Sequence, residues 1–250
     1  MEESSKIFYP STRLLSALRH KAVVARRFSD NYLTELGSES ETCWYKSPVD
    51  PMKLLCEFKR LSLKPGYTLR AYVYFVGDNG HGIVWGFPEN SVFPGPETCI
   101  NKTDHFPEAP KPPEAVPIED VLEGNRKPWS YIEASIFLRE IREFGARWHG
   151  CFWSDVEILC CNPFDKKSNI PTRSSSNKFN PSQWKWRSKK VADWRPKIII
   201  EPERVRVHFY IYNTVGRKTI ELKEDLYAKG CFKPDNKTNL IAEGPGGIIY

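Results

Sequence analysis

"PKIIIEPERVRVHFYIYNTVGRKTIELKEDLY", residues 196–227, sets the fold class. Val205, Val207, Phe209 and Ile211 occupy alternate positions, with Arg204, Arg206, His208, Tyr210 and Tyr212 between them. A period of two with one apolar side reads as a strand with one buried face. "NTVGRK" supplies turn residues, and "TIEL" returns as a second strand, so the stretch predicts a β-hairpin.

A second hairpin is predicted upstream. "YTLRAYVYFV" (67–76) and "IVWGF" (83–87) are β-branched and aromatic, and "GDNGHG" separates them. Asp78-Asn79-Gly80 is reverse-turn chemistry, because Asn and Gly reach positive φ cheaply. The glycines do not make a phosphate loop, since no Gly-Lys-Ser/Thr follows, and a strand rather than a helix comes next. His81 at this tip is a candidate pocket-lining residue.

Helical spacing appears three times. In 11–36, Leu14, Leu18, Ala22 and Ala25 form an apolar stripe on an arginine-rich surface. Residues 51–66 carry a shorter helical pattern that Pro65-Gly66 ends. In 129–150, Phe137, Ile141, Phe144 and Trp148 recur on one face. Ser130 and Glu133 have capping-box spacing there, Glu143 and Arg147 have the spacing of a surface ion pair, and Gly150 is placed to end the helix. "SDVEIL" (154–159) then alternates as a strand.

Two hairpins without a βαβ rhythm predict an α+β fold. The expected architecture is an antiparallel or mixed sheet of five to six strands built from the two hairpins, with two or three helices packed on it. The chain is read as a single domain, 1–250. A proline-rich acidic wrap occupies 88–123 and a basic tryptophan-containing loop occupies 165–197.

With 250 residues, 40% hydrophobic and 13% aromatic, the chain can build a substantial core without metal or disulfide support. Seven cysteines, an odd number with no C-x-x-C spacing, fit reduced thiols, and the opening MEESSKIFYP lacks the apolar run of a secretory signal. Both point to a soluble cytoplasmic protein. No apolar run reaches the roughly 18 residues of a membrane helix.

The net charge of +6 conceals strong segregation. Residues 4–29 hold six Lys/Arg and no acid, and residues 165–197 hold ten Lys/Arg against two acids. Residues 89–123 hold eight acids against two lysines. "QWKWRSKKVADWRPK" (183–197) combines three tryptophans with six basic residues. Lysine and arginine neutralise phosphates, and indole faces can stack on bases. Trp184, Lys185, Trp186, Arg187, Lys189, Lys190 and Lys197 are therefore the candidate binding residues, with nucleic acid or an acidic protein as partner. The same pattern also fits tryptophans that anchor a solvated loop in the core, or a basic block matched within the chain by the acidic one.

The alternative function is a small-molecule enzyme. "GARWHGCFWSDVE" (145–157) places His149 between a helix and a strand, with Asp155 and Glu157 following. A histidine with a carboxylate can act as base and orienter, and Arg147 could hold an anionic substrate. A third reading is a protein–protein interaction module with tryptophan hot spots. His149, Cys151, Cys160 and Cys161 offer four N/S donors without the spacing of a zinc site, so no metal or cofactor is expected.

Overall fold

The computed structural model describes residues 5–27, 43–77, 79–100, 108–147, 153–165, 180–213 and 216–246. In chain order the elements are β1 (Lys6–Phe8), α1 (Thr12–Arg26), β2 (Trp44–Lys46), α2 (Met52–Leu55), β3 (Leu61–Leu63), β4 (Tyr67–Val76) and β5 (Asn79–Pro88). They continue with α3 (Ile118–Val121), β6 (Leu122–Gly124), α4 (Pro128–Ile141), β7 (Val156–Leu159), β8 (Lys185–Trp186), β9 (Lys197–Ile200), β10 (Arg204–Asn213), β11 (Arg217–Ala228) and β12 (Asp235–Gly246). The fold is α+β. Two compact units are distinguished, Met1–Ser16 with Ser154–Tyr250 and Ala17–Trp153, so the first boundary falls inside α1.

The first unit is organised by β10. Val205, Val207, Phe209 and Ile211 are all buried, as the alternation requires, and Tyr227 and Ile198 are buried with them. The register His208↔Glu224 and Tyr210↔Leu222 makes β10–β11 the expected hairpin. The other edge of β10 is divided between two short strands. β9 pairs with it from Val205 to His208, and β7 from Tyr210 to Asn213. The sheet runs β1-β9-β10-β11-β12-β8 with β7 beside β10, seven strands in which every pairing is antiparallel.

This corrects the expected count of five to six strands from two hairpins. The hairpins do not share a sheet, and four of the seven strands (β1, β7, β8, β9) have only two to four residues, too few to display a period. β12 is long but begins "DNKTN", polar residues of low strand propensity whose backbone pairing with β11 overrides them.

The second unit holds the other hairpin. β4 and β5 pair from Tyr67↔Pro88 to Val76↔Asn79, so only two residues separate the strands in sequence. Gly77 sits at φ 57, the conformation such turns demand; Asp78 lies outside the described residues. β2 extends this sheet along β4, and β3 pairs separately with β6. The described parts of the proline-rich stretch run against the hairpin. Trp85 Nε1 donates to the Pro110 carbonyl at 2.9 Å, Tyr72 Oη donates to that of Pro94 at 2.9 Å, and Val116 bridges to Gly86.

Four α-helices occur among the described residues, one more than expected, and two are single turns. The pattern at 51–66 yields only α2, because Leu61–Leu63 is drawn into β3 by its pairing with Leu122–Gly124. α4 begins at Pro128, not at Ser130. Proline at the first helical position fixes φ where no amide partner is needed. Ser130 therefore donates to the Lys127 carbonyl at 2.7 Å, and Glu133 takes the Arg60 guanidinium and backbone amide instead of closing a capping box. The helix ends at Ile141, and Gly145 adopts φ 72 beyond it. Trp148 and Gly150 lie outside the described residues.

α4 is buried nearly all round, which places carboxylates in the core. Glu140 and Glu143 are buried and engage α1, so Glu143 is no surface partner of Arg147. Arg26 Nη2 lies 3.1 Å from Glu143 Oε2, and Arg19 Nε lies 3.4 Å from Glu140 Oε1. Trp153 Nε1 donates to Glu140 Oε1 at 2.8 Å, the Trp153 amide to Glu143, and Arg19 Nη2 to the Trp153 carbonyl at 2.7 Å.

Candidate polyanion-binding segment

Residues 180–197 are seated by their indoles. Trp184 and Trp194 are buried with Leu159, Tyr212, Ile220, Ile241 and Ala242. Phe164 lies among the three rings, with centroids 5.6 Å from Trp184, 5.3 Å from Trp186 and 6.4 Å from Trp194. Trp194 packs on Tyr210 at 5.0 Å. Gly244 passes beneath Trp184, where a β-carbon would fall 2.8 Å from the ring. A glycine lets backbone and indole approach face to face.

β8 holds the segment to the sheet with two residues only, Trp186↔Ala242 and Lys185↔Glu243. The Arg187 amide then donates to the Ile241 carbonyl at 2.9 Å, and its guanidinium pairs with Glu243. Arg195 pairs with Asp193 at 2.9 Å and stacks on Tyr9, its guanidinium carbon 4.0 Å from the ring centroid. Lys185, Lys189 and Lys190 are exposed and join no ion pair among the described residues. Lys197 stands apart on β9, half-buried and opposite His208.

Of the candidate binding residues, Trp184 is thus in the core and offers no free face for a base. Trp186 is half-buried against Phe164 and keeps part of its indole in solvent. Only Lys185, Lys189, Lys190 and Arg187 combine exposure with charge.

Of the acid–base candidates, Arg147, Asp155 and Glu157 fall within the described residues. His149 lies outside them. Arg147 belongs to the second unit, where its amide donates to the Gly80 carbonyl at 2.8 Å. Asp155 and Glu157 belong to the first; Asp155 precedes β7, and only Glu157 is a strand residue. Glu157 lies opposite Tyr212, whose phenol is pushed up to about 12 by burial and, secondarily, by this carboxylate. His81 packs by its ring against Trp44 (5.1 Å) and Tyr74 (5.0 Å), which accounts for it as an aromatic neighbour.

A histidine–carboxylate contact does exist, at residues the sequence reading left on the polar face of β10. His208 Nε2 lies 3.1 Å from Glu224 Oε1, and Asn239 Nδ2 donates to Glu224 Oε2 at 2.7 Å. The alternation already put His208 on that face; its partner became visible only with the register. Burial holds this imidazole below its ordinary value, although Glu224 acts in the opposite sense. Cross-strand pairing explains the contact without a ligand.

Among the described residues, no group of three or more His, Cys, Asp or Glu side chains is arranged to hold a metal ion. No described helix is long and apolar enough to cross a membrane. No protein-family model, curated protein or solved structure matches this chain.

Proposed function

We propose that this protein binds a polyanionic partner, nucleic acid foremost, through the segment 183–197. Lys185, Lys189 and Lys190 meet phosphates, with Arg187 and Lys197 as outer contacts. One observation carries the reading: buried indoles hold the segment while Lys185, Lys189 and Lys190 stand in solvent without an acid partner among the described residues. A core-anchored loop loses little conformational entropy on binding, so the phosphate contacts retain more of their strength.

With Trp184 and Trp194 buried, recognition rests on backbone charge rather than base stacking. Trp186 is the one indole of the segment with a partly open face. Binding then tolerates sequence and depends steeply on salt, since each neutralised phosphate releases counterions.

The test is fluorescence anisotropy of a labelled single-stranded oligonucleotide across a salt series, with heparin retention beside it. The Lys185→Glu/Lys189→Glu/Lys190→Glu protein is the comparison. Three phosphate contacts correspond to a slope of about −2 in log K against log salt on a single strand. Loss of binding and of that slope in the variant supports the reading. Equal binding by both proteins, or binding insensitive to salt, overturns it.

A further inference from the structure

We infer that the aromatic face of the β2–β4–β5 sheet binds an acidic, proline-rich segment of a partner protein at its open end, around Tyr74 and His81. The site lies wholly within the second unit and does not rest on the polyanion reading.

Strand register puts the rings on one side. Trp44 pairs with Tyr74, Tyr74 with His81, Tyr72 with Ile83 and Arg70 with Trp85, so these residues share a face. Part of that face already holds the chain's own proline-rich stretch. Tyr72 Oη donates to the Pro94 carbonyl and Trp85 Nε1 to that of Pro110, each at 2.9 Å. Lys46 Nζ donates to the Phe93 carbonyl at 2.7 Å, and the Phe93 ring stacks on Tyr72 at 4.5 Å.

These contacts follow one chemistry. Gly95 (φ −68, ψ 150) and Pro117 (φ −54, ψ 142) in the stretch lie close to polyproline II geometry. Such a backbone makes no hydrogen bonds to itself, and proline has no N–H, so it presents acceptors. The sheet answers with side-chain donors and ring surfaces, the pairing by which aromatic grooves hold proline-rich segments.

The same equipment continues beyond the residues that hold the stretch. Tyr74 follows Tyr72 on this face of β4, and His81 stands opposite it on β5. Their rings lie 5.0 Å apart, and both rest on buried Trp44, at 5.3 and 5.1 Å. His81 is exposed and Tyr74 half-buried. Neither the Tyr74 hydroxyl nor the His81 imidazole has a hydrogen-bond partner among the described residues. Val76, 47% exposed, extends the surface towards the hairpin turn.

Charge selects the kind of segment. No acid occurs in β2, β4 or β5, whereas Lys46 and Arg70 are exposed on this face. Residues 89–123, parts of which the face already holds, carry eight acids against two lysines. Complementary charge therefore favours an acidic proline-rich partner over a basic one.

The probe is a labelled peptide of the chain's own residues 108–117, EAPKPPEAVP, and the control has alanine at its four prolines. Both are titrated by fluorescence anisotropy against full-length wild type, Tyr74→Phe, His81→Phe and Trp85→Phe. The first two variants keep a ring and remove only a polar group, and circular-dichroism melts confirm that they fold. Wild type is expected to bind the probe and to bind the control more weakly. Loss of the Tyr74 hydroxyl should weaken the probe about fivefold, the worth of one hydrogen bond. Equal binding by wild type, Tyr74→Phe and His81→Phe overturns the inference. Equal binding of the two peptides, or binding of neither, does the same. Loss in Trp85→Phe alone puts the probe on the seat of the chain's own stretch and overturns the open-end site. Self-association of wild type that Tyr74→Phe abolishes, without peptide binding, overturns it in favour of a second copy of the chain.

Discussion

Arg26 Nε donates to Glu140 Oε2 across 3.1 Å, and both side chains are almost wholly sealed from water. The buried guanidinium of Arg26, the half-buried one of Arg19 and two buried carboxylates meet there, and Trp153 closes the network from the far end of its unit. Removing one partner of such a group strands the others in low dielectric. Glu140→Gln keeps the shape but withdraws the charge that Arg19 and Arg26 share, so it should destabilise by about 3–5 kcal/mol. Trp153→Phe removes one donor to Glu140 and should cost about 1–3 kcal/mol. The double variant should cost less than the two together, because both act on one network. Urea unfolding of the three proteins measures this; a Glu140→Gln protein as stable as wild type would contradict the clamp.

Anchoring and charge in the segment 183–197 should separate cleanly. Trp184→Ala removes a ring packed on Phe164, Tyr212 and Gly244 and should destabilise by about 3–5 kcal/mol. Gly244→Ala should also destabilise, since its β-carbon would press 2.8 Å into the same ring. The three lysine reversals touch nothing in the core and should stay within about 0.5 kcal/mol of wild type. Thermal melts of all three proteins decide the matter. A lysine variant that unfolds early would mean those side chains hold the loop, and its binding defect would then say nothing about phosphates.

The sequence was legible where one strand was long and half-buried. Val205 to Ile211 predicted β10 and its buried face, and the Asn-Gly region predicted the β4–β5 hairpin. It misled where a local motif met a competing partner. Ser130 and Glu133 have capping-box spacing, but Pro128 moved the helix start and Arg60 took the carboxylate. Glu143 and Arg147 have surface-pair spacing, but Arg26, 117 residues earlier, claimed Glu143. Such long-range pairs leave no periodic trace. The candidate segment was legible as composition, three tryptophans among six basic residues. That Trp184 was the more buried ring required β12, whose Gly244 fits beneath it.

His208 gives the fold a pH dependence whose sign follows from its surroundings. Burial lowers its value from the ordinary 6.5, Lys197 and Arg206 act in the same direction, and Glu224 and Asp225 oppose them. The unfolded chain therefore takes up this proton first as pH falls. Stability from the neutral imidazole is fully present above 6.5 and is lost as pH drops through the lower folded value. One proton contributes a slope of at most about 1.4 kcal/mol per pH unit. His81 is also held low by burial and adds to the slope with the same sign. Unfolding free energies measured from pH 7.5 to 5 should fall less steeply in His208→Gln than in wild type, and less again when His81→Gln is added. The carboxylates common to all three proteins cancel in that comparison. Parallel curves for wild type and His208→Gln would show that the imidazole titrates alike in the folded and unfolded chain, and that the Glu224 contact fully offsets its burial.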